Sequence, residues 1–199
     1  MTNRDLDGYV DQDQFRVLPD RDSSDYVYSA QDLINLAGRK YHKKKNHLNR
    51  FLKDYQFEYR DLDMELVECF LVLQEEWCKM KECIESPELH SEDYAIHTAL
   101  TSFEELDYKG GAIQIGSKIE AFSLGEKLND NTAVIHIEKA NPEIPGLYTA
   151  MNHSFCSSAW PDMKYINREQ DLGIEGLRKA KESYHPHHMI DKYTITPRK

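Results

Sequence analysis

The sequence has no apolar run long enough to cross a membrane: its longer unbroken stretches, such as Cys69 to Leu73, fall far short of the roughly 20 residues a span requires. Its first residues, among them Thr2, Asn3, Arg4 and Asp5, lack the basic and then apolar order of a secretory leader. The expectation is a soluble, cytoplasmic domain. Cysteine is scarce, with four residues and no Cys-x-x-Cys pair, which leaves a disulfide framework or a zinc knuckle without support. Cys69, Cys78 and Cys83 fall in or beside one helical stretch, so they and Cys156 read as reduced, buried small hydrophobes. Gly-x-Ser-x-Gly, His-Glu-x-x-His and Walker-type sequences are all missing, and with them the usual signatures of hydrolases, zincins and nucleotide hydrolases. Internal repeats and low-complexity segments are missing too.

What is present is one domain's worth of chain, 199 residues, with a strongly uneven charge. The net charge of -10 argues against wholesale binding to nucleic acid or anionic lipid. Residues 39 to 53 nevertheless carry Arg39, Lys40, Lys43, Lys44, Lys45, Arg50 and Lys53 with no acid, a local +7 that leaves -17 for the rest.

Residues 1 to 28 are acidic and turn-like, broken by Gly8 and Pro19, and read as a tail or the remnant of a preceding module. Ser29, with Asp32 three residues on, can cap a short helix ended by Gly38. A basic helix follows from about Arg39 to Tyr55, its Tyr41, Leu48, Phe51, Leu52 and Tyr55 on one face, so that residues 29 to 55 form a helical extension or linker. The segment 56 to 60 reads as a short strand or extended connection. Leu62, Leu66, Cys69, Phe70, Leu73 and Trp77 then mark an amphipathic helix, and Ser91, Glu92 and Asp93 begin another through Ile96, Leu100, Phe103 and Leu106.

After Gly110-Gly111 the period changes to that of strands. Ala112 to Ile115, Ile119 to Gly125 and Thr132 to Glu138, joined by short turns, predict an antiparallel meander. A helix led by Pro145 through Ala159, a strand at Lys164 to Asn167, a helix from Ile174 to Tyr184 and a strand from Met189 to Ile195 complete the domain of residues 56 to 199. The fold class is α/β (α+β), a mixed central sheet flanked by helices.

That order, together with Tyr165-Ile166-Asn167-Arg168-Glu169-Gln170-Asp171-Leu172-Gly173-Ile174-Glu175-Gly176-Leu177-Arg178-Lys179-Ala180-Lys181, Ile137-Glu138-Lys139-Ala140-Asn141 and Lys40-Tyr41-His42-Lys43-Lys44-Lys45, resembles the GNAT acyltransferase superfamily. The resemblance lies in the branch of bacterial proteins similar to the C-terminal domain of phosphatidylglycerol lysyltransferase. It covers roughly residues 22 to 199 and implies that strands 132 to 138 and 163 to 168 splay apart around an acyl donor. The loop that holds coenzyme A pyrophosphate in many GNAT enzymes corresponds to Asn141-Pro142-Glu143-Ile144-Pro145-Gly146, whose prolines lack the needed donors and whose acid repels phosphate. The resemblance therefore favours an aminoacyl-tRNA over acyl-CoA as donor. Members of the family carry two GNAT-like modules in tandem.

Under this reading Glu138, Asn167, Glu169, Asp171 and Tyr184 are the candidate catalytic residues. An acid could hold an α-amine, and the resemblance implies a tyrosine that protonates the leaving group. Asn141, Gly146, Tyr148, Asn152, Arg178 and Lys179 are candidate substrate contacts. Asp171 can equally cap the following helix, Asn141 its loop, and Tyr184 can be a core residue. His185, His187 and His188 do not make a metal site, because proline and strand alternation should turn the last two to opposite faces.

Lys40, Lys43, Lys44, Lys45 and Arg50 suit RNA phosphates, or else neutralise the acidic body. The leading function is an acyl- or aminoacyl-transferase-like domain acting on a small-molecule or lipid amine or hydroxyl, with tRNA as partner and a homodimer plausible. The second is a non-catalytic RNA- or protein-binding module of the same fold. An open cleft favours the first, and one plugged by Tyr148 or Phe155 the second. Replacing Lys43, Lys44 and Lys45 with glutamine is expected to weaken RNA binding and flatten its salt dependence in a filter-binding titration; unchanged binding would remove that role.

Overall fold

The computed structural model describes residues 9–81, 87–103 and 105–198. Its elements are β1 (Phe15–Ser29), α1 (Ala30–Asn35), a 3-10 turn (Arg39–Tyr41), α2 (His42–Asp54), β2 (Glu58–Asp61), α3 (Met64–Lys81), α4 (Pro87–Thr101), β3 (Lys109–Ile115), β4 (Lys118–Asn129), β5 (Thr132–Ala140), α5 (Leu147–Ala159), β6 (Tyr165–Asn167), α6 (Glu175–Glu182) and β7 (His188–Pro197). The strands form one seven-stranded sheet in the order β2-β3-β4-β5-β6-β1-β7. Every pairing is antiparallel except that of β5 with β6.

The acidic N-terminal segment departs most from expectation. Phe15–Ser29 is a strand in the interior of the sheet, between β6 and β7, where a turn-like tail was predicted. Tyr26, Val27 and Tyr28 are buried without alternation, as in a strand covered on both faces, so the period of two that identifies a half-buried strand is absent. The acidic stretch ahead of them coincides with a shift in the β1–β7 register between Asp20 and Asp25.

Ser29 caps α1 as expected, accepting a bond from the Asp32 N–H, but the helix ends at Leu36 in the left-handed region, before Gly38. α4 starts at Pro87, upstream of the cap predicted at Ser91. The side chains of Ser91 and Glu92, and all of Cys83, lie outside the described residues. Cys69 is exposed and free, Cys156 is buried and free, and Cys78 is disulfide-bonded, which corrects the expectation of four reduced, buried thiols. Among the described residues no helix is long and apolar enough to cross a membrane.

Two cores flank the sheet. On the first face α1, α2 and α5 bury Tyr28, Leu33, Phe51, Met151 and Phe155 against Ile113 and Ile135. On the second, α3 and α4 bury Phe70, Leu73, Ile96 and Leu100 against Phe122 and Ile137. Ile135 and Ile137 serve opposite faces because β5 carries a bulge: Gly125 pairs with Ile135 and Leu124 with Ile137, leaving His136 without a partner.

β5 and β6 pair only through Thr132–Val134 and Tyr165–Asn167, after which β5 continues to Ala140 with no parallel neighbour. This is the expected splay, and it opens beside α5. Gly146, at the entrance of α5, has φ 85, and a Cβ there would lie 2.6 Å from the His47 carbonyl oxygen of α2 and 3.1 Å from Phe51 Cβ. The close approach of α2 to α5 requires glycine. Gly146→Ala should lower stability by about 2–4 kcal/mol, through left-handed strain and the forced separation of the helices. Urea denaturation measures it, and a neutral substitution would contradict this packing.

Candidate active site

Glu138 lies on β5 beyond its last pairing with β6, and Arg168 follows β6 directly, so the two face each other across the splay. Arg168 Nη2 donates to Glu138 Oε1 at 2.8 Å, and both side chains are only 12% exposed. The second oxygen of Glu138 accepts from Asn152 Nδ2 of α5 at 3.0 Å. The Arg168 guanidinium lies 4.9 Å from the centre of the Tyr184 ring and 5.7 Å from that of Tyr28. Lys181 of α6 donates its ammonium to the carbonyl oxygens of Arg168 and Glu169. Lys44 of α2 sits with Nζ 3.9 Å from the centre of the Tyr184 ring.

Three cations thus surround one carboxylate in a largely buried space. Two polar atoms there have no partner: Arg168 Nη1, a donor, and Asn152 Oδ1, an acceptor. Both belong to side chains anchored on Glu138, and such atoms are costly to leave unmet.

Burial pushes the lysines down. Desolvation and then the neighbouring Arg168 charge lower Lys44 to about 8, and the same two causes, in that order, lower Lys181 to about 8. Burial, the largest single effect, would lower Arg168, but the Glu138 carboxylate and the neighbouring Tyr28, Tyr184 and Cys156 together raise it and keep the guanidinium charged. Tyr184 is pushed up to about 12, mainly by burial, so its hydroxyl stays protonated.

Of the residues singled out from sequence, Glu138, Tyr184 and Asn152 meet in this cluster. Arg168 and Lys181 were missed, and Lys44, grouped with the solvent-facing cations, belongs here too. The signal for Arg168 was a base at a strand end in an acid-rich stretch, Asn167-Arg168-Glu169. Asn167 instead donates to Asp25 at 3.0 Å and accepts the Glu169 N–H at 2.7 Å. Asp171 is fully buried, and it accepts bonds from Tyr26 (2.6 Å), from Arg178 Nε and Nη2 (2.8 Å each) and from the Gly173 N–H (2.9 Å). Arg178 above all holds that carboxyl well below the usual range. Asp171 is therefore an anchor for β1 and α6, and Arg178 its clamp, with a further bond to Asp22 at 2.6 Å.

Lys179 pairs with Glu175 in solvent. Asn141 caps its own loop through Glu120 and the Glu143 N–H. Tyr148 accepts from Trp77 Nε1 at 3.1 Å, and Phe155 is buried in the first core. Lys40 pairs with Asp32 and Arg50 with Asp54, while Lys43 and Lys45 are exposed. His187 and His188 do not point apart as expected: their Nδ1 atoms are 2.9 Å apart and both rings pack on Tyr165.

Glu169, one residue beyond Arg168, crosses the splay in the other direction. It reaches His136 Nδ1 at 2.8 Å, and His136 Nε2 meets Glu126 at 3.0 Å. The entrance of α5 does not fit a pyrophosphate, because the α2 backbone lies against Gly146 and Pro142, Glu143 and Pro145 precede it.

The sequence model of the family described as phosphatidylglycerol lysyltransferase, C-terminal, matches residues 4–196. A conserved protein of unknown function from Bacteroides thetaiotaomicron VPI-5482 superposes with a TM-score of 0.91 at 38% identity, covering 98% of this chain and 66% of that one. L-PGS from Bacillus licheniformis shares the fold, with a TM-score of 0.67 at 15% identity over 98% of this chain and 65% of its own. An uncharacterized protein of Mycoplasmoides gallisepticum (strain R(low / passage 15 / clone 2)) is 25% identical over 179 residues, 87% of this chain and 56% of that protein. The chain spans about half of that curated relative's length.

The lysine shifts predict a pH dependence. Between about 8 and 10.5 the unfolded chain still holds lysine protons that the folded chain has shed, so stability should rise with pH across that window. Lys44→Met should flatten part of the rise and leave stability near neutral pH unchanged or higher, because a charge held against burial is removed. Thermal melts from pH 7 to 10 check this; equal slopes in the two proteins would contradict it.

Proposed function

Because the chain belongs to the phosphatidylglycerol lysyltransferase C-terminal family, we propose that its splay is the reaction centre of an aminoacyltransferase-like domain. In this reading the domain moves an aminoacyl group from tRNA to the amine or hydroxyl of a small molecule or lipid. The observation that carries the reading is the pair of unmet polar atoms beside Glu138. An aminoacyl ester offers a carbonyl oxygen that accepts and, one carbon away, an ammonium that donates. Arg168 Nη1 supplies the complementary donor and Asn152 Oδ1 the complementary acceptor. Glu138 orients both through its bonds to Asn152 Nδ2 and Arg168 Nη2.

Acyl transfer places negative charge on the carbonyl oxygen in the transition state, and preorganised donors in a dry site stabilise it by about 3–4 kcal/mol each. Arg168 is such a donor, while Lys44 and Lys181 add positive potential that also suits the terminal phosphates of tRNA. The Tyr184 hydroxyl, kept protonated by burial, can donate to the departing ribose oxygen. Lys43 and Lys45, exposed on α2 beside Lys44, extend the positive field outward, where RNA phosphates would lie. A plug of apolar side chains would have favoured a binding module instead, and the splay holds charged groups with unmet bonding capacity.

The test uses radiolabelled aminoacyl-tRNA with phospholipid vesicles and soluble amines as acceptors, following label from acid-precipitable RNA into lipid or free amide. The full chain should transfer label, and Lys44→Met should transfer it about 10–100-fold more slowly without a lower melting temperature. Label leaving tRNA no faster than by spontaneous hydrolysis with every acceptor, or turnover of acetyl-CoA instead, would overturn the reading.

A further inference from the structure

Resting on that transfer reading, we propose that Glu126, His136 and Glu169 form the acceptor half of the centre, at the opposite mouth of the splay. There His136 takes the proton of the attacking amine or hydroxyl.

The placement follows from strand alternation. Glu126 pairs with Val134, one residue from Ile135, which belongs to the first core, so Glu126 lies on the second face of the sheet. His136, the unpaired residue of the β5 bulge, joins it there, with the Tyr108 ring 5.5 Å away. Glu138, Arg168 and Asn152 occupy the first face. Arg168 and Glu169 are consecutive, and the left-handed turn at Glu169 (φ 55) lets Arg168 meet Glu138 on the first face while Glu169 meets His136 on the second, so the gap is spanned on both. The first mouth is lined by cations, and the second by two carboxylates around an imidazole.

That polarity sorts the two reactants. The electron-poor carbonyl and its phosphate-bearing carrier suit the cationic side, whereas a protonated amine, or a hydroxyl about to lose its proton, suits the carboxylate side. The side chains of His136, Glu126 and Glu169 are 28%, 39% and 34% exposed, so an acceptor can reach them. Bulges of this kind re-aim a side chain beside a reaction site.

The cluster has the parts a proton acceptor requires. Glu169 is held in place by its own N–H bond to Asn167 Oδ1, and it fixes His136 Nδ1 as a donor. Glu126, the more exposed partner, covers Nε2 in the resting protein, and displacing it frees that nitrogen for the acceptor. The hydrogen bond to Glu169 raises His136 from its ordinary value against the effect of burial, and Glu126 raises it further. The facing groups are Glu126 from β4, Glu169 after β6 and Tyr108 before β3.

In the step itself the acceptor's N–H or O–H proton passes to Nε2 as its nitrogen or oxygen bonds to the ester carbonyl carbon. The carbon–oxygen bond to the ribose then breaks, and the ribose oxygen takes a proton from Tyr184. Solvent exchange returns one proton from the imidazolium and restores one to the phenolate. No oxidant or further reactant is needed.

The test compares pH–rate profiles of label transfer for the wild type, His136→Gln and Glu126→Gln. The wild-type kcat/KM should climb with pH through an ionisation above the ordinary histidine value. His136→Gln should lose that limb and fall about 100-fold, with KM for aminoacyl-tRNA within about twofold of the wild type. Glu126→Gln, at a more exposed position, should move the limb to lower pH even if the histidine variant folds poorly. A wild-type profile and rate in His136→Gln, or an unmoved limb in Glu126→Gln, would overturn the proton-acceptor role while label transfer and its dependence on Lys44 stand. If the wild type transfers no label, the transfer reading fails and this role fails with it.

Discussion

The ion pair between Arg168 and Glu138 is the interaction on which the rest of the splay depends. Two strands that cease to hydrogen-bond leave a seam open to water or to collapse, and here a charge-assisted bond of 2.8 Å spans it. Taking both ions out of water costs several kcal/mol, and a well-packed apolar pair would often serve stability as well or better. Their presence is therefore better explained by what they hold: Asn152 by one carboxylate oxygen, the Tyr184 ring by one guanidinium face, and Lys181 through the Arg168 carbonyl. Cutting either ion would strand the other inside the protein. This fixes the centre and leaves Arg168 Nη1 and Asn152 Oδ1 buried without a partner.

A second consequence follows from chain direction. β6 ends at Asn167, and beyond it the left-handed turn at Glu169 (φ 55) sets Glu169 against His136 Nδ1 while Arg168 pairs with Glu138. The bulge at His136 answers this on β5, turning an imidazole toward Glu169 while Glu138, two residues on, turns toward Arg168. Bulge and strand end together set cations around Glu138 on one face of the splay and two carboxylates around His136 on the other. Gly125 makes the bulge possible, since a Cβ there would lie 2.4 Å from the Val134 carbonyl oxygen.

The order of helices and strands was legible because most elements are half-buried and keep their period: the meander, α5 and α3 show it directly. β1 was not legible, since Tyr26, Val27 and Tyr28 are buried on both sides and acids precede them. Within the site, Glu138, Tyr184 and Asn152 were legible from their position in the resemblance. Asn167, Glu169 and Asp171, all candidates from sequence, turn to different partners because the chain leaves strand geometry after Asn167. Glu169 has φ 55 and Leu172 φ 54, and left-handed residues at these points turn Asp171 back under Arg178. Lys44 was misread for another reason: composition groups it with six other cations, and only the docking of α2 on α5 shows that it alone faces Tyr184.

The most direct measurement is a crystal structure of the chain with a hydrolysis-resistant 3′-aminoacylamido analogue of the tRNA terminus. The account predicts the analogue's carbonyl oxygen within hydrogen-bond distance of Arg168 Nη1 and its ammonium against Asn152 Oδ1, with the ribose toward Tyr184. An analogue bound away from the splay, or one seated there with both atoms still unpaired, would contradict it.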